Sequence, residues 1–341
     1  MQTEFEFIEK IRRRAFGKST KTGIGDDCAV IPKDAKTDLV ITADLLIEDI
    51  DFRLDWSPPE LVGHKALGVS LSDAAAMGAK PVWAMLSIGV PEKIWKSDFA
   101  EKFYDGWFRL AKKFGVELVG GDVSRTPDKI VIDSIVAGEV KKNKAILRST
   151  AKAGDLIFVT GKLGGAAMGL RLLEEGERYK KGKENFINKL LLRQLAPNPQ
   201  TEIGQFLGKN NLATAMIDLS DGLSSDLSHL CRASGVGAKI YADKIPIVKN
   251  LRRFLLTNDK SKIKDQRSKI KDQTALNFAL NGGEDFELLF TVNSKKIFRL
   301  ETELKSGLLF HIGETTANAE IIELVFGDKT EILAARGFRH F

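Results

Sequence analysis

Cysteine and histidine are scarce in this sequence of 341 residues, which contains two cysteines and four histidines. Cys28 and Cys231 form no CxxC pair, so we expect two free thiols in a reducing compartment rather than a disulfide framework. The histidines form no HxxxH or HExxH pattern. Zinc-dependent chemistry is therefore disfavoured.

Long apolar runs are also missing, and none approaches the ~18 residues of a membrane-spanning helix. The first residues, MQTEFEFIEKIRRRAF, mix acidic side chains with apolar ones at helical spacing, unlike a signal or transit peptide. We expect a cytoplasmic protein with no membrane partner.

The common nucleotide and hydrolase motifs are absent as well. In TGKLGGAAMG, Lys162 precedes the glycine pair, so the spacing of a P-loop is not met, and we interpret the run as a tight strand-to-helix turn. The serines of IDLSDGLSSD stand beside acids rather than in a G-x-S-x-G elbow, so a serine nucleophile has no support.

The positive charge is concentrated in one segment. The chain has 52 Lys and Arg against 46 Asp and Glu, a net charge of +6. Residues 260–273 read KSKIKDQ and RSKIKDQ, a tandem duplication that carries +4 of that charge. We interpret residues 258–274 as a solvated surface insertion. A nucleic-acid-binding arm is the alternative, but we expect no nucleic-acid partner.

The sequence does contain isolated aspartates in apolar or glycine-rich contexts. In residues 66–81, ALGVSLSDAAAMGAKP, the side chains as far as Ala79 are apolar or small except for Asp73. A buried lone carboxylate is unfavourable without a cation or donors, although a helix N-cap at Ser72 or Asp73 is an alternative. Similar contexts surround five other sites, which are Asp26-Asp27, Asp44, Asp122, Asp218 and Asp221.

Several aspartates in one pocket would need divalent cations, because carboxylates ~4 Å apart repel each other by about 4 kcal/mol at an effective dielectric constant of about 20. Oxygen ligands without His or Cys point to Mg²⁺, which shares phosphate oxygens. The turns GGD (120–122) and GGED (282–285) allow a phosphate to approach the backbone beside an acid. We infer phosphoryl transfer from ATP without a P-loop, with simple turn and cap aspartates as the alternative.

The order of elements predicts an α+β protein. The length allows two domains, and strands and helices mix without a strict βαβ rhythm. Strands repeatedly end at acids in the first half, which closes near Arg148. Pro58 and Pro59 are expected to open the helix that contains Asp73 and Pro81 to end it.

Eight ordered motifs resemble thiamine-monophosphate kinase over nearly the whole chain. They are GIGDDCAV, ITAD, VSLSDAAAMGAKP, ELVGGD, LRSTAKAGDLIFVTG, MIDLSDGLSSDL, NGGEDFELLFTV and the terminal GF. The resemblance implies a two-domain PurM-like fold, with an N-terminal mixed sheet that has helices on one side (1–148) and a C-terminal α/β sandwich (149–341). It also implies a homodimer formed through the N-terminal domains, and conversion of thiamine monophosphate to thiamine diphosphate with ATP.

The resemblance also assigns roles to individual positions. The implied Mg²⁺ ligands are Asp27, Thr42, Asp44, Asp73, Asp122, Asp218 and Asp221. The implied ATP contacts are Tyr104, Gly121, Asp122, Arg148 and Ser220. The implied substrate contacts are Asp51, Glu284 and Phe338, and the central catalytic groups are Asp73, Asp218 and Arg148. At Asp51 the family usually has histidine, so a carboxylate there would suit the thiazolium cation but repel the phosphate.

The implied chemistry needs no general base, because the acceptor phosphate, with a second pKa near ~6, is largely ionised at neutral pH. We expect direct in-line transfer without a phospho-enzyme, assisted by Mg²⁺ and Arg148. Aminoimidazole ribonucleotide synthetase is the closest enzymatic alternative, and a non-catalytic nucleotide-binding protein is another. Such a non-catalytic protein would have lost one or more of the aspartates that bind metal, and this chain retains them all.

Overall fold

Two β-sheets, one in each half of the sequence, organise the chain. The computed structural model describes residues 4–15, 20–249, 251, 254–255, 264–303 and 307–338. A first helix, α1 (Glu4–Arg14), precedes the sheets. In the part of the chain that is described, no helix combines the length and apolar character needed to cross a bilayer.

The first sheet has five strands in the order β1-β2-β5-β3-β4. Their bounds are β1 (Ala29–Pro32), β2 (Thr37–Ile47), β3 (Lys80–Pro91), β4 (Glu117–Thr126) and β5 (Val131–Lys141). β3 and β4 are parallel, and the other pairs are antiparallel. Buried and half-buried residues alternate along β5, as expected for a strand with one face on a core. That core lies under helices α2 (Pro59–Ala76) and α4 (Phe99–Phe114).

Helices α2 and α4 pack closely because of two glycines. A Cβ on Gly106 would lie 1.8 Å from the carbonyl oxygen of Glu60, and one on Gly63 would lie 1.9 Å from that of Phe103. Neither distance is sterically possible, so these positions accept only glycine. The short helix α3 (Glu92–Trp95) connects β3 to α4.

The second sheet has seven strands in the order β12-β11-β8-β10-β6-β9-β7. Their bounds are β6 (Leu156–Thr160), β7 (Ala213–Asp218), β8 (Gly237–Tyr241), β9 (Leu288–Val292), β10 (Leu309–Thr316), β11 (Ile322–Phe326) and β12 (Lys329–Ile332). Only β8 and β11 pair in parallel among the described strands of this sheet. A 3₁₀ turn (Arg148–Thr150) lies between the two sheets in sequence. The division into domains at residues 148 and 149 stays a prediction.

The helices of the second half are α5 (Gly165–Glu174), α6 (Phe186–Leu195), α7 (Thr201–Lys209), α8 (Leu223–Ser234), α9 (Lys264–Asn281) and α10 (Ile297–Glu303). The predicted surface insertion at residues 258–274 lies partly outside the described residues. From Lys264 onward the chain is helical as the start of α9, and the surface position of this segment stays a prediction.

Helix α2 lies between the two halves. Leu67 and Leu71 join the core under the first sheet, whereas Ala75 and Ala76 join a core with Phe290 of the second. Thirteen of its 18 residues are buried, which explains why the segment is apolar on nearly every side.

Asp73 lies in the last turn of α2 rather than at its start, so the alternative of an N-cap there is wrong. The helix begins at Pro59, as predicted, but ends at Ala76 instead of Pro81, which belongs to β3. Gly78, with φ +69°, supplies the left-handed backbone that commonly follows a helix end.

Candidate active site

Three carboxylates from separate elements meet where the two halves of the chain join. Asp27 precedes β1, Asp73 lies in the last turn of α2, and Asp218 ends β7. Each offers an oxygen within 4.8 Å of the others. Thr42 Oγ1 donates to Asp73 at 2.5 Å, and Ser72 Oγ donates to Asp218 at 2.6 Å. Asp73, the isolated charge in the apolar run, thus belongs to a cluster of carboxylates in which it is half-buried, whereas Asp27 and Asp218 are buried.

Burial and mutual repulsion oppose ionisation of these groups. Burial is the main cause that raises the pKa of Asp218 to about 8, and the negative charge of Asp27 is the next. The pKa of Asp73 is raised well above its usual value, mainly by burial and next by the negative charges of Asp44 and Asp218. Burial also raises the pKa of Asp44 to about 6 and that of Asp26 to about 7. The fully ionised cluster needs more positive charge than these side chains supply.

Arg148 supplies one positive charge to this site. Its guanidinium donates to both carboxylate oxygens of Asp27, at 3.1 Å from Nε and 2.6 Å from Nη2. Its backbone N–H donates to Asp26 at 3.2 Å. One arginine cannot balance five carboxylates, namely Asp26, Asp27, Asp44, Asp73 and Asp218.

The residues of the cluster fit a divalent cation. Oδ2 of Asp44 is buried without a hydrogen-bond partner, although buried acceptors normally have one. The donor set consists of carboxylate and hydroxyl oxygens with no histidine or cysteine, which suits Mg²⁺. Asp27, Asp44, Asp73 and Asp218, with Thr42, are the residues that could hold it.

Asp122 does not join this cluster within one chain. Across the sheet, Asp122 pairs with Ser87, Ser87 pairs with Asp133, and Asp133 pairs with Leu45, so the four side chains lie on one face. Leu45 follows Asp44 in β2, so the two side chains point to opposite faces of the sheet. Asp122 is thus on the face away from Asp44 and three strands away, about 14 Å at ordinary strand spacing. Its predicted role as a metal and ATP ligand stays a prediction.

The other predicted ATP contacts are also dispersed. Gly121 lies on the exposed strand β4, where a Cβ would come 1.9 Å from the carbonyl oxygen of Leu86. Tyr104 lies on α4 and packs edge-on against Phe103 at 5.4 Å between ring centroids. Only Arg148 and Ser220 lie near the cluster or the adjoining cavity.

A cavity of about 500 Å³ adjoins the cluster at Asp44. The three predicted substrate contacts, Asp51, Glu284 and Phe338, all line it, as do Ser220 and Asp221. Its apolar wall comes from both halves of the chain and consists of Leu46, Phe52, Trp56, Leu61, Val62, Val69, Leu170, Leu195 and Phe286, among others. The cavity therefore has an acidic end and an apolar body.

Two residues of this cavity had no predicted role. Nζ of Lys65 lies 2.6 Å from Oε1 of Glu284 and donates to the carbonyl oxygen of Asp51 at 2.9 Å. The side-chain amide of Gln194 also donates to Glu284. Lys65 carried a signal, because it is a charge in the same apolar helix as Asp73 and lies two turns before it on the same face.

The GGED turn combines a cavity residue with a structural one. Glu284 and Phe286 have φ of 63° and 48°, an uncommon conformation for residues other than glycine. Between them, the carboxylate of Asp285 accepts backbone N–H groups of Gly164, Gly165 and Ala166 at 2.5, 3.1 and 3.1 Å. The start of α5 is thus occupied by the protein's own carboxylate, which supports the interpretation of TGKLGGAAMG as a structural turn.

The two halves of the chain match the two domains of one protein family. Residues 25–140 match the AIR synthase related protein, N-terminal domain, and residues 152–323 match the AIR synthase related protein, C-terminal domain. The chain is 40% identical to the thiamine-monophosphate kinase of Buchnera aphidicola subsp. Acyrthosiphon pisum and 35% identical to that of Bacillus subtilis, over 99% of each pair of chains.

The solved structure of AaThiL complexed with AMPPCP and TMP is also similar. It superposes with a TM-score of 0.82 at 32% sequence identity, and the alignment covers 99% of this chain and 97% of that one. The α+β, two-domain PurM-like fold expected from the sequence is confirmed. The chain therefore belongs to the thiamine-monophosphate kinase family, within the AIR-synthase-related, PurM-like superfamily.

Proposed function

We infer that this chain is a thiamine-monophosphate kinase, which transfers the γ-phosphoryl group of ATP to the phosphate of thiamine monophosphate. The products are ADP and thiamine diphosphate, so this is the last step in making that cofactor. One observation carries the proposal. A cluster of buried and half-buried carboxylates adjoins a 500 Å³ cavity lined by Asp51, Glu284 and Phe338, in a chain similar over its whole length to such kinases.

We assign the Mg²⁺ sites to the carboxylate cluster of Asp27, Asp44, Asp73 and Asp218, with Thr42 beside it. Asp221, on the wall of the cavity, is a further ligand by resemblance. When bound, Mg²⁺ offsets the repulsion between the phosphates of ATP and the acceptor phosphate. Ser72 and Thr42, which donate to Asp218 and Asp73, hold the two carboxylates in place.

The residues of the chain act by positioning and by charge. A phosphate oxygen of thiamine monophosphate attacks the γ-phosphorus of ATP, and the bond between the γ-phosphorus and the bridging oxygen breaks to release ADP. The attacking phosphate is already ionised, so no proton has to be removed first. Arg148 can exchange one contact to Asp27 for a phosphate oxygen, where charge develops in the transition state. Glu284 and the aromatic face of Phe338 suit the thiazolium cation.

Release of ADP tests this function directly. With ATP and Mg²⁺ we expect turnover with thiamine monophosphate and formation of thiamine diphosphate, identified by chromatography. Free thiamine and aminoimidazole precursors are the comparison acceptors, and neither should be phosphorylated. Turnover with an aminoimidazole precursor instead would assign the chain to the synthetase branch of the superfamily.

We further propose a homodimer formed through the first sheet. Leu45 on β2 and Met85 on β3 share the face of the sheet away from α2 and are 57% and 45% exposed, and among the described strands β4 pairs with β3 alone. Exposed apolar side chains beside an open strand edge favour association with a second copy. Gly121 and Asp122 lie on this strand, so a dimer is also the arrangement that can bring them to ATP bound by a partner.

Sedimentation velocity should therefore report a dimer of about twice 37.6 kDa. The double substitution Leu45→Lys and Met85→Lys is expected to shift the protein to monomers, because it places charges on the apolar face. Ile332→Lys is the matched control, since Ile332 is 71% exposed on the edge of the second sheet. A monomeric wild-type protein at micromolar concentration would contradict the proposal.

A further inference from the structure

The C-terminal segment, residues 333–338, crosses the turn between β7 and α8 without forming a helix or strand. The backbone N–H of Arg336 donates to Oγ of Ser224 at 3.2 Å. Two residues later, the backbone N–H of Phe338 donates to the carbonyl oxygen of Asp221 at 3.1 Å. These two hydrogen bonds fix the segment to the turn on both sides of the crossing.

Gly337 lies against the turn at this crossing. A Cβ at this position would be 2.5 Å from Cβ of Ser225 and 2.6 Å from the carbonyl oxygen of Asp221, closer than real Cβ atoms approach other heavy atoms. Gly337 does not have a positive φ, so glycine is required here by the lack of space and not by the backbone conformation. Any other residue would push the segment and the turn apart.

Other contacts hold the turn in place. Oδ2 of the buried Asp226 accepts the backbone N–H groups of Asp221 and Gly222, at 3.2 and 2.9 Å. The carbonyl oxygen of Ser220 accepts the backbone N–H of Glu284 at 2.7 Å. The turn also leads directly into helix α8, whereas the C-terminal segment belongs to no helix or strand. We therefore expect a side chain in place of the glycine to displace the segment rather than the turn.

Displacement of the segment would move a residue of the cavity wall. Phe338 follows Gly337 directly, lines the cavity and is 52% exposed. Its hydrogen bond to Asp221, at 3.1 Å, is already near the upper end of the usual range, so a shift large enough to admit a Cβ would break it. The aromatic ring would then no longer be held within the ~6 Å at which a ring attracts a cation appreciably.

We propose that Gly337 is a positioning residue, whose missing side chain allows the C-terminal segment to place Phe338 against the thiamine moiety of the substrate. The proposal rests on the function inferred above, in which the cavity holds thiamine monophosphate. Gly337 is not itself part of the cavity wall, so it acts on acceptor binding through Phe338. Phosphoryl transfer stays with the carboxylate cluster and Arg148.

Steady-state kinetics of Gly337→Ala test this role. We expect the KM of thiamine monophosphate to rise at least fivefold while kcat stays within threefold and the KM of ATP within twofold, because loss of uniform binding raises KM alone. Ala334→Val is the matched control, since it enlarges an exposed residue of the same segment, and it should leave all three constants within twofold. A purely structural role for Gly337 would lower the melting temperature or kcat without raising the KM of thiamine monophosphate.

A double-mutant cycle shows whether Gly337 acts through Phe338. Phe338→Ala alone should raise the KM of thiamine monophosphate at least fivefold, and adding Gly337→Ala should then change it less than twofold, because the ring is already gone. If Gly337→Ala does not fold, Ser224→Ala releases the segment by removing the acceptor of the Arg336 N–H, and it should raise this KM at least threefold. An unchanged KM in the folded variants, or independent effects in the cycle, overturns the proposal. Failure of the kinase assignment would appear separately, as absence of wild-type turnover.

Discussion

Replacing Asp73 or Asp218 with asparagine is expected to lower kcat at least ~10³-fold, as for the loss of a principal electrostatic group in a transition state. The free energy of unfolding of the metal-free protein should stay the same or rise. Each substitution removes a carboxyl group whose ionised form the folded site disfavours, and the amide retains the shape of the side chain. Initial rates of ADP release and urea unfolding in EDTA measure the two effects.

Asp38→Asn is the matched control for these substitutions. Asp38 is also a buried aspartate of the first half, but it lies 2.6 Å from Nζ of Lys21 and 3.1 Å from that of Lys142. Its loss leaves the two lysines, which are 30% and 29% exposed, without a carboxylate partner, so we expect about 1–3 kcal/mol lower stability with little change in kcat of the folded protein. A kcat within tenfold of wild type in Asp73→Asn would remove the assignment of the cluster to catalysis.

The stability of the metal-free protein is expected to fall by a few kcal/mol between pH 5 and pH 8. Burial raises the pKa values of Asp44, Asp26 and Asp218 to about 6, 7 and 8, against about 3.9 in the unfolded chain. In this pH window the folded protein holds protons that the unfolded chain has released. The free energy of unfolding therefore decreases as pH rises.

Urea unfolding in EDTA at several pH values measures this slope. Added Mg²⁺ should stabilise the protein more at pH 8 than at pH 6, because cations and protons compete for the same carboxylates. Asp218→Asn should flatten the metal-free profile, since the residue with the highest of these pKa values is gone. A metal-free stability that is flat or rises over this range would show that the carboxylates are not forced together as the structure has them.

The aspartates were predictable from the sequence because a charge inside an apolar run is an energetic anomaly that can be read locally. Asp73 in ALGVSLSDAAAMGAKP and Asp218 at the end of a buried strand both stood out in this way, and the structure brings them together with Asp27. Lys65 had the same kind of context, but nothing near it in sequence indicates its partners. Glu284 is 219 residues away.

The position of Asp122, by contrast, could not be predicted from its local sequence. Its GGD context resembles those of the cluster residues, yet strand register places it on the other face of the sheet from Asp44. A shift of one residue in register would reverse that face, and register depends on how four strands pair across the sheet. No local pattern in VGGD specifies that pairing.

The sequence by itself determined the α+β class, the oxygen-only character of the site and the family of the chain, because composition, periodicity and ordered motifs are properties of the chain itself. Only the tertiary structure decided which aspartates share one pocket, that Asp285 caps a helix while its neighbour Glu284 faces the cavity, and that Lys65 pairs with Glu284. These depend on contacts between segments far apart in sequence, and such contacts form only when both sheets pack around α2.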